Sequence, residues 1–197
     1  LSDPFDVFIC LRLVLAHTKV QNSFNSAFFF LLFPTESIPL PHVNHSYFMK
    51  KINCFLPYAA VCSSSSLVDE LRTDEFVEDV VIMDSHYPVD TLPEGCKTLT
   101  TGLPNNSETL RSIIEHSQAE YTLIYTKNTP FKPGLFALQR FLDVMDSTQA
   151  PMAYSDYYHQ DVNNQRTAIP LIDCGSWFVR DDFNFGPLLV FRTSALA

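Results

Sequence analysis

An α/β fold, with a mainly parallel sheet and flanking helices, is the architecture this sequence predicts, and three observations carry it. Short apolar segments ending on proline, threonine or aspartate alternate with amphipathic segments along residues 49–197. Strands joined by helices about ten residues long pair in parallel, through right-handed crossovers. Polar residues gather at the carboxyl ends of these strands, where open α/β sheets leave a crevice for ligands.

The elements follow in order. Ile52 to Pro57 is a short apolar strand stopped by proline. Ser63 to Arg72 is a helix with serines to cap it and Leu67, Val68 and Leu71 on one face. Val77 to Met83 reads as a buried strand ending at Asp84-Ser85, and Thr98 to Thr101 as a third strand. Asn106 or Ser107 caps a helix running to about Ser117, with Leu110, Ile113 and Ile114 inward. Tyr121 to Tyr125 is the fourth strand. Leu135 to Met145 is a helix whose Phe136, Leu138, Phe141, Leu142 and Met145 pack the core. Met152 to Ser155 is a further strand, ending at Asp156.

Bulk properties narrow the function classes. The chain has 197 residues and a net charge of −9. That charge opposes both a nucleic-acid surface and electrostatic docking on anionic lipid. Five cysteines, without a Cys-x-x-Cys pair, read as reduced core thiols of a cytosolic protein. With five glycines and no P-loop, dinucleotide-binding or nucleophile-elbow motif, the corresponding enzyme classes fall away.

Composition divides the chain near residue 48. Residues 1–48 hold eight of the 17 phenylalanines but only five charged residues, without a clear helix or strand period. Their apolar runs are shorter than the ~20 residues of a membrane span. Met49-Lys50-Lys51-Ile52 looks like a bacterial start leading into a first strand. Residues 1–48 are therefore expected to be a poorly ordered extension or translated upstream sequence. The rival is a membrane-associating tail around residues 28–33.

The densest signal is Ala119 to Gly134, where a strand runs into Thr126-Lys127-Asn128-Thr129 and then a Pro-x-x-Pro-Gly turn. Pro57-Tyr58, Asp84-Ser85, Thr126 to Asn128 and Asp156 all fall at strand ends, so one crevice should hold them together. Carboxylate and aromatic groups there suit a base and ribose, and Lys127 suits a phosphate.

This segment resembles the stretch of family 2 glycosyltransferases (GT-A fold) that reads Gly-Glu-Tyr, four apolar residues, Asp-x-Asp-Asp, then Pro-Gly. The chain is also similar to that family at Ile52 to Tyr58, at Val80 to Ser85, and at Met152 to Tyr158. Phe183 to Leu196 resembles its acceptor-side strand and Ser-Ala-Leu turn. The nearest likeness is a Bacteroidetes-type subgroup, with Leu-Ile-Tyr-Thr-Lys in place of the acidic triplet and Arg-Asp-Asp-Phe-x-Phe-Gly at Arg180 to Gly186.

The resemblance implies an incomplete GT-A domain over residues 49–197. It would bind a nucleotide-diphosphate sugar and transfer the sugar to a cell-envelope polysaccharide or glycolipid. Asp84 would contact the base, Thr126, Lys127, Asn128 and Asp156 would surround the diphosphate, and Arg180, Asp181 and Asp182 would shape the acceptor side. The implied location is the cytoplasm or the inner face of the membrane, with only peripheral lipid contact. Two departures matter. The family's divalent cation (Mg or Mn) is held by a carboxylate cluster, and residues 126–129 contain no carboxylate. Its catalytic base, an Asp that an inverting transfer needs, follows the Ser-Ala-Leu turn, beyond Ala197. Activity is thus expected only of a longer protein. The alternatives are a degenerate nucleotide-sugar-binding module and a flavodoxin- or receiver-like domain, the latter disfavoured by Pro57-Tyr58 where it needs an acidic pair.

Overall fold

The sheet grows outward from a buried central strand in the computed structural model, which describes residues 6–15, 51–62, 65–84, 95–102, 106–161, 163–171 and 183–196. The strands are β1 (Asp6–Leu15), β2 (Ile52–Pro57), β3 (Val77–Asp84), β4 (Lys97–Thr100), β5 (Tyr121–Tyr125), β6 (Phe131–Lys132), β7 (Met152–Gln160), β8 (Arg166–Ile169) and β9 (Leu188–Arg192). The helices are α1 (Tyr58–Cys62), α2 (Ser65–Thr73), α3 (Ser107–His116) and α4 (Ala137–Thr148). Among the described residues the strand order is β4-β3-β2-β5-β9-β7-β1-β6, with β8 on β7.

One half is parallel. β2 pairs in parallel with β3 and β5, and β3 with β4. Every residue of β2 and β5 is buried, as parallel strands covered on both faces require. Ile52, Cys54 and Leu56 point to a core shared with Leu67, Val68 and Leu71 of α2 and Leu138, Phe141, Leu142 and Met145 of α4. Phe55, Val81, Met83 and Ile124 point the other way, onto Ile113 of α3. Asn53, buried in β2, accepts at Oδ1 from the amides of Gln118 and Ala119 (3.0 and 2.7 Å), which pins the turn before β5.

The other half is antiparallel: the α/β class is the expected one, and its sheet is parallel in one half and mixed as a whole. β9 lies between β5 and β7 and runs against both. β9 pairs with β5 from Tyr121↔Arg192 to Tyr125↔Leu188, which carries the buried strand β5 from the parallel half into the antiparallel one. β7 extends well past Ser155, pairing with β8 over residues 157–160.

Residues 6–15, within the stretch expected to be a poorly ordered extension or translated upstream sequence, form β1, antiparallel to β7 and parallel to β6. Their partners stand more than a hundred residues away, so no local pattern announced the pairing. The boundary at Met49 lies outside the described residues.

Two further expectations are corrected. α3 begins where expected, with Asn106 Oδ1 accepting from the Glu108 amide. However, it buries Thr109 and Ile113 and leaves Leu110 41% exposed. Phe136 is not in the core: it precedes α4 in a left-handed conformation (φ 58°) and is 69% exposed. No helix among the described residues is long and apolar enough to cross a membrane.

Candidate functional site

Strand register decides which candidate residues meet. Pro57 is level with Met83, which sets Asp84 one step further along β3. Phe55 is level with Ile124, so Thr126 stands beside Pro57. Tyr125 pairs with Leu188, and Tyr154 with Leu189, so Thr126 and Asp156 flank Pro187 at one height. Pro57-Tyr58, Asp84, Thr126 and Asp156 therefore share one rim. β3 and β4 step away from β2 on one side while β5 lies on the other, so a topological switch point falls between β2 and β5, beneath Pro57 and Thr126.

The rim is long. With strands roughly 4.8 Å apart, Asp84 and Asp156, four strands distant, are separated by about 19 Å. A single ion cannot bridge them; an extended ligand can.

Each residue has a local state. Pro57 is buried and ends β2, and Tyr58, opening α1, is half-buried against the core. Asp84 is 8% exposed, and its carbonyl accepts from the Thr101 amide at 2.9 Å. Thr126 donates to the Pro187 carbonyl from its amide (2.9 Å) and its hydroxyl (3.2 Å), tying β5 to β9. Lys127 and Asn128 are exposed. The turn is held at its far end by Tyr125, whose hydroxyl donates to the Thr129 carbonyl at 2.9 Å. Burial pushes the Tyr125 phenol up to about 12, so it remains a donor at neutral pH. Asp156 Oδ1 accepts from the Leu171 amide at 2.7 Å, so one oxygen of that carboxylate serves the backbone. Ser85, Arg180, Asp181 and Asp182 lie outside the described residues.

Three features beside this rim were not among the candidate site residues. Ser155 is buried next to Asp156 with no partner for its Oγ among the described residues, and such groups are rare enough to need a reason. Gly186 turns the chain into β9 at φ +79°, with its amide donating to Asn184 Oδ1 at 2.9 Å. Phe183 and Phe185 pack edge-on to Tyr154, at centroid distances of 6.3 and 5.3 Å, as an apolar wall on one face of β7. The Phe-Asn-Phe-Gly run was the available signal for the last two.

The opposite rim is a charge cluster. Lys51 lies 3.6 Å from both Glu120 and Asp146, and Arg192 contacts the same two carboxylates at 3.5 and 3.7 Å. The Tyr121 hydroxyl donates to Asp146. This network ties β2, β5, β9 and α4 together at the amino ends of the parallel strands, where it is structural.

A groove of about 580 Å³ lies elsewhere, between the end of α2 with the turn after it and the β6–α4 turn. None of the candidate rim residues lines it. Nor do the rim residues fit a divalent cation: residues 126–129 hold no carboxylate, and no three His, Cys, Asp or Glu among the described residues gather to hold a metal. No protein-family model, curated protein or solved structure matches this chain.

Proposed function

We propose that the chain binds a nucleotide-diphosphate sugar along the rim formed by Pro57-Tyr58, Asp84, Thr126 to Asn128 and Asp156, in the manner of a GT-A glycosyltransferase. The acceptor is a cell-envelope glycan or glycolipid. The observation that carries this reading is the common height of these residues around a topological switch point. Their spread suits a long ligand with chemically distinct ends. Tyr58 offers a ring just past the end of β2 and Asp84 a carboxylate for a base or ribose edge. Lys127, exposed and with no ion-pair partner among the described residues, offers a charge for phosphate. No step is routed through a metal ion.

An inverting transfer also needs a carboxylate to take the acceptor hydroxyl proton. Asp84 is almost fully buried, and one oxygen of Asp156 is taken by the Leu171 amide. That state of Asp156 favours a second reading, a module that binds the nucleotide sugar without transferring it.

Thermal unfolding with UDP-glucose, UDP-galactose or GDP-mannose, with and without manganese, tests the reading. A bound nucleotide at 100 times its Kd adds about 2.7 kcal/mol of stability. Stabilisation without manganese, abolished by Lys127→Ala, is the expected result. Stabilisation only with manganese overturns the role of Lys127, and none with any nucleotide overturns the binding reading.

A further inference from the structure

We propose that the groove between α2 and the β6–α4 turn docks a basic amphipathic helix from a partner protein. This stands apart from the nucleotide reading and shares no residue with it.

Three observations meet here. First, Leu135 and Phe136 are 86% and 69% exposed, the most exposed large apolar side chains among the described residues. Single exposed apolar residues are ordinary; two adjacent ones beside a groove of about 580 Å³ make a patch. Second, Phe136 sits in the left-handed region (φ 58°), with no side-chain hydrogen bond capping α4. A large side chain held there and turned to solvent is strain without a folding benefit, and such strain points to use. Third, the facing wall carries Glu70, Asp74 and Glu75, none in an ion pair among the described residues, against one lining cation, Lys132.

Charge selects the occupant. The groove, on a chain of net charge −9, attracts cations and opposes anionic lipid. A second copy would bring the same acidic wall against this one. An amphipathic helix with lysines or arginines beside its apolar stripe meets both walls, in a recurring mode of peptide recognition.

The test is a fluorescence-anisotropy titration of the whole chain with a synthetic lysine–leucine amphipathic helix. Its glutamate–leucine counterpart and phosphatidylcholine–phosphatidylglycerol vesicles are run alongside. The lysine–leucine helix should bind, more weakly at high salt, and the acidic helix should not. Leu135→Ser with Phe136→Ser should weaken binding about tenfold or more, as loss of an interface anchor does. Glu70→Lys with Glu75→Lys should weaken it comparably, which keeps the test decisive if the apolar pair unfolds. Glu108→Lys with Glu115→Lys, on α3 across the sheet, should leave it unchanged. Absence of binding, equal weakening by the α3 pair, or capture by vesicles through Leu135 and Phe136 without peptide binding overturns the proposal.

Discussion

The Arg192 guanidinium lies over the Tyr121 ring, 5.1 Å from its centroid, and the two residues are direct partners across the β5–β9 ladder. The same guanidinium donates to the Met145 carbonyl at the end of α4 (3.0 Å). One side chain thus joins the parallel half of the sheet, the antiparallel strand inserted beside it and the helix packed over both. Arg192 Nε is buried without a partner among the described residues, which offsets part of the gain.

Replacing Arg192 by alanine removes the cation–π contact and the hydrogen bond, and leaves Asp146 and Glu120 with less compensation. A loss of about 2 kcal/mol is expected in urea unfolding. Tyr121→Phe keeps the ring and removes the hydroxyl bond to Asp146, at about 1 kcal/mol. A loss from Arg192→Ala no larger than that from Tyr121→Phe would contradict this account of Arg192.

Asp143 should give stability a pH signature. Burial, then the neighbouring Asp146 charge, raises its pKa above the ordinary 3.8. The folded state then binds this proton more tightly than the unfolded state, so stability falls as pH rises from 3.8 through the raised value. Asp143→Asn should match the parent at pH near 3 and be more stable at neutral pH, by under about 0.5 kcal/mol because the burial is only partial and solvent screens the carboxylate. Thermal melts across that range read the difference; a larger gap at low pH would reverse the assignment.

Two left-handed positions should respond with opposite signs. Phe136→Gly relieves an unfavourable φ of 58° without uncovering core, and should stabilise the chain by about 1 kcal/mol. At Gly186 (φ +79°) an added Cβ would come within 2.7 Å of Leu171 Cδ1, so Gly186→Ala should cost about 1–2 kcal/mol. Chemical denaturation of both variants checks the pair.

Thiol reactivity should follow burial. Cys54 is fully buried, and burial, reinforced by the Asp74 charge, raises its pKa. Cys62 is exposed. Alkylation of the native chain at mildly alkaline pH should label Cys62 and leave Cys54 until denaturant is added, as read by peptide mass mapping. Early labelling of Cys54 would place β2 outside the core.

Local pattern and long-range pairing contributed unequally to what the sequence revealed. β2 and β5 were legible to the residue because a fully buried strand bounded by proline or threonine carries its own boundaries. Asn106 was legible because its amide side chain caps locally. The insertion of β9 was not, since an apolar run such as Leu188 to Arg192 does not state which strands it pairs with or in which direction. Phe136 was misplaced because its apolar character fits the helical stripe, whereas the turn after Gly134 throws it outward before α4 begins. At the site, strand ends were visible and the use of Asp156 by Leu171 was not, for that bond spans 15 residues.

Hydrogen exchange with and without saturating UDP-glucose, resolved by peptide, tests the central claim most directly. Slowed exchange confined to peptides carrying residues 57–58, 84, 126–128 and 156 is the expected result. No slowing, or slowing limited to residues 70–76 and 132–139 around the groove, would contradict it.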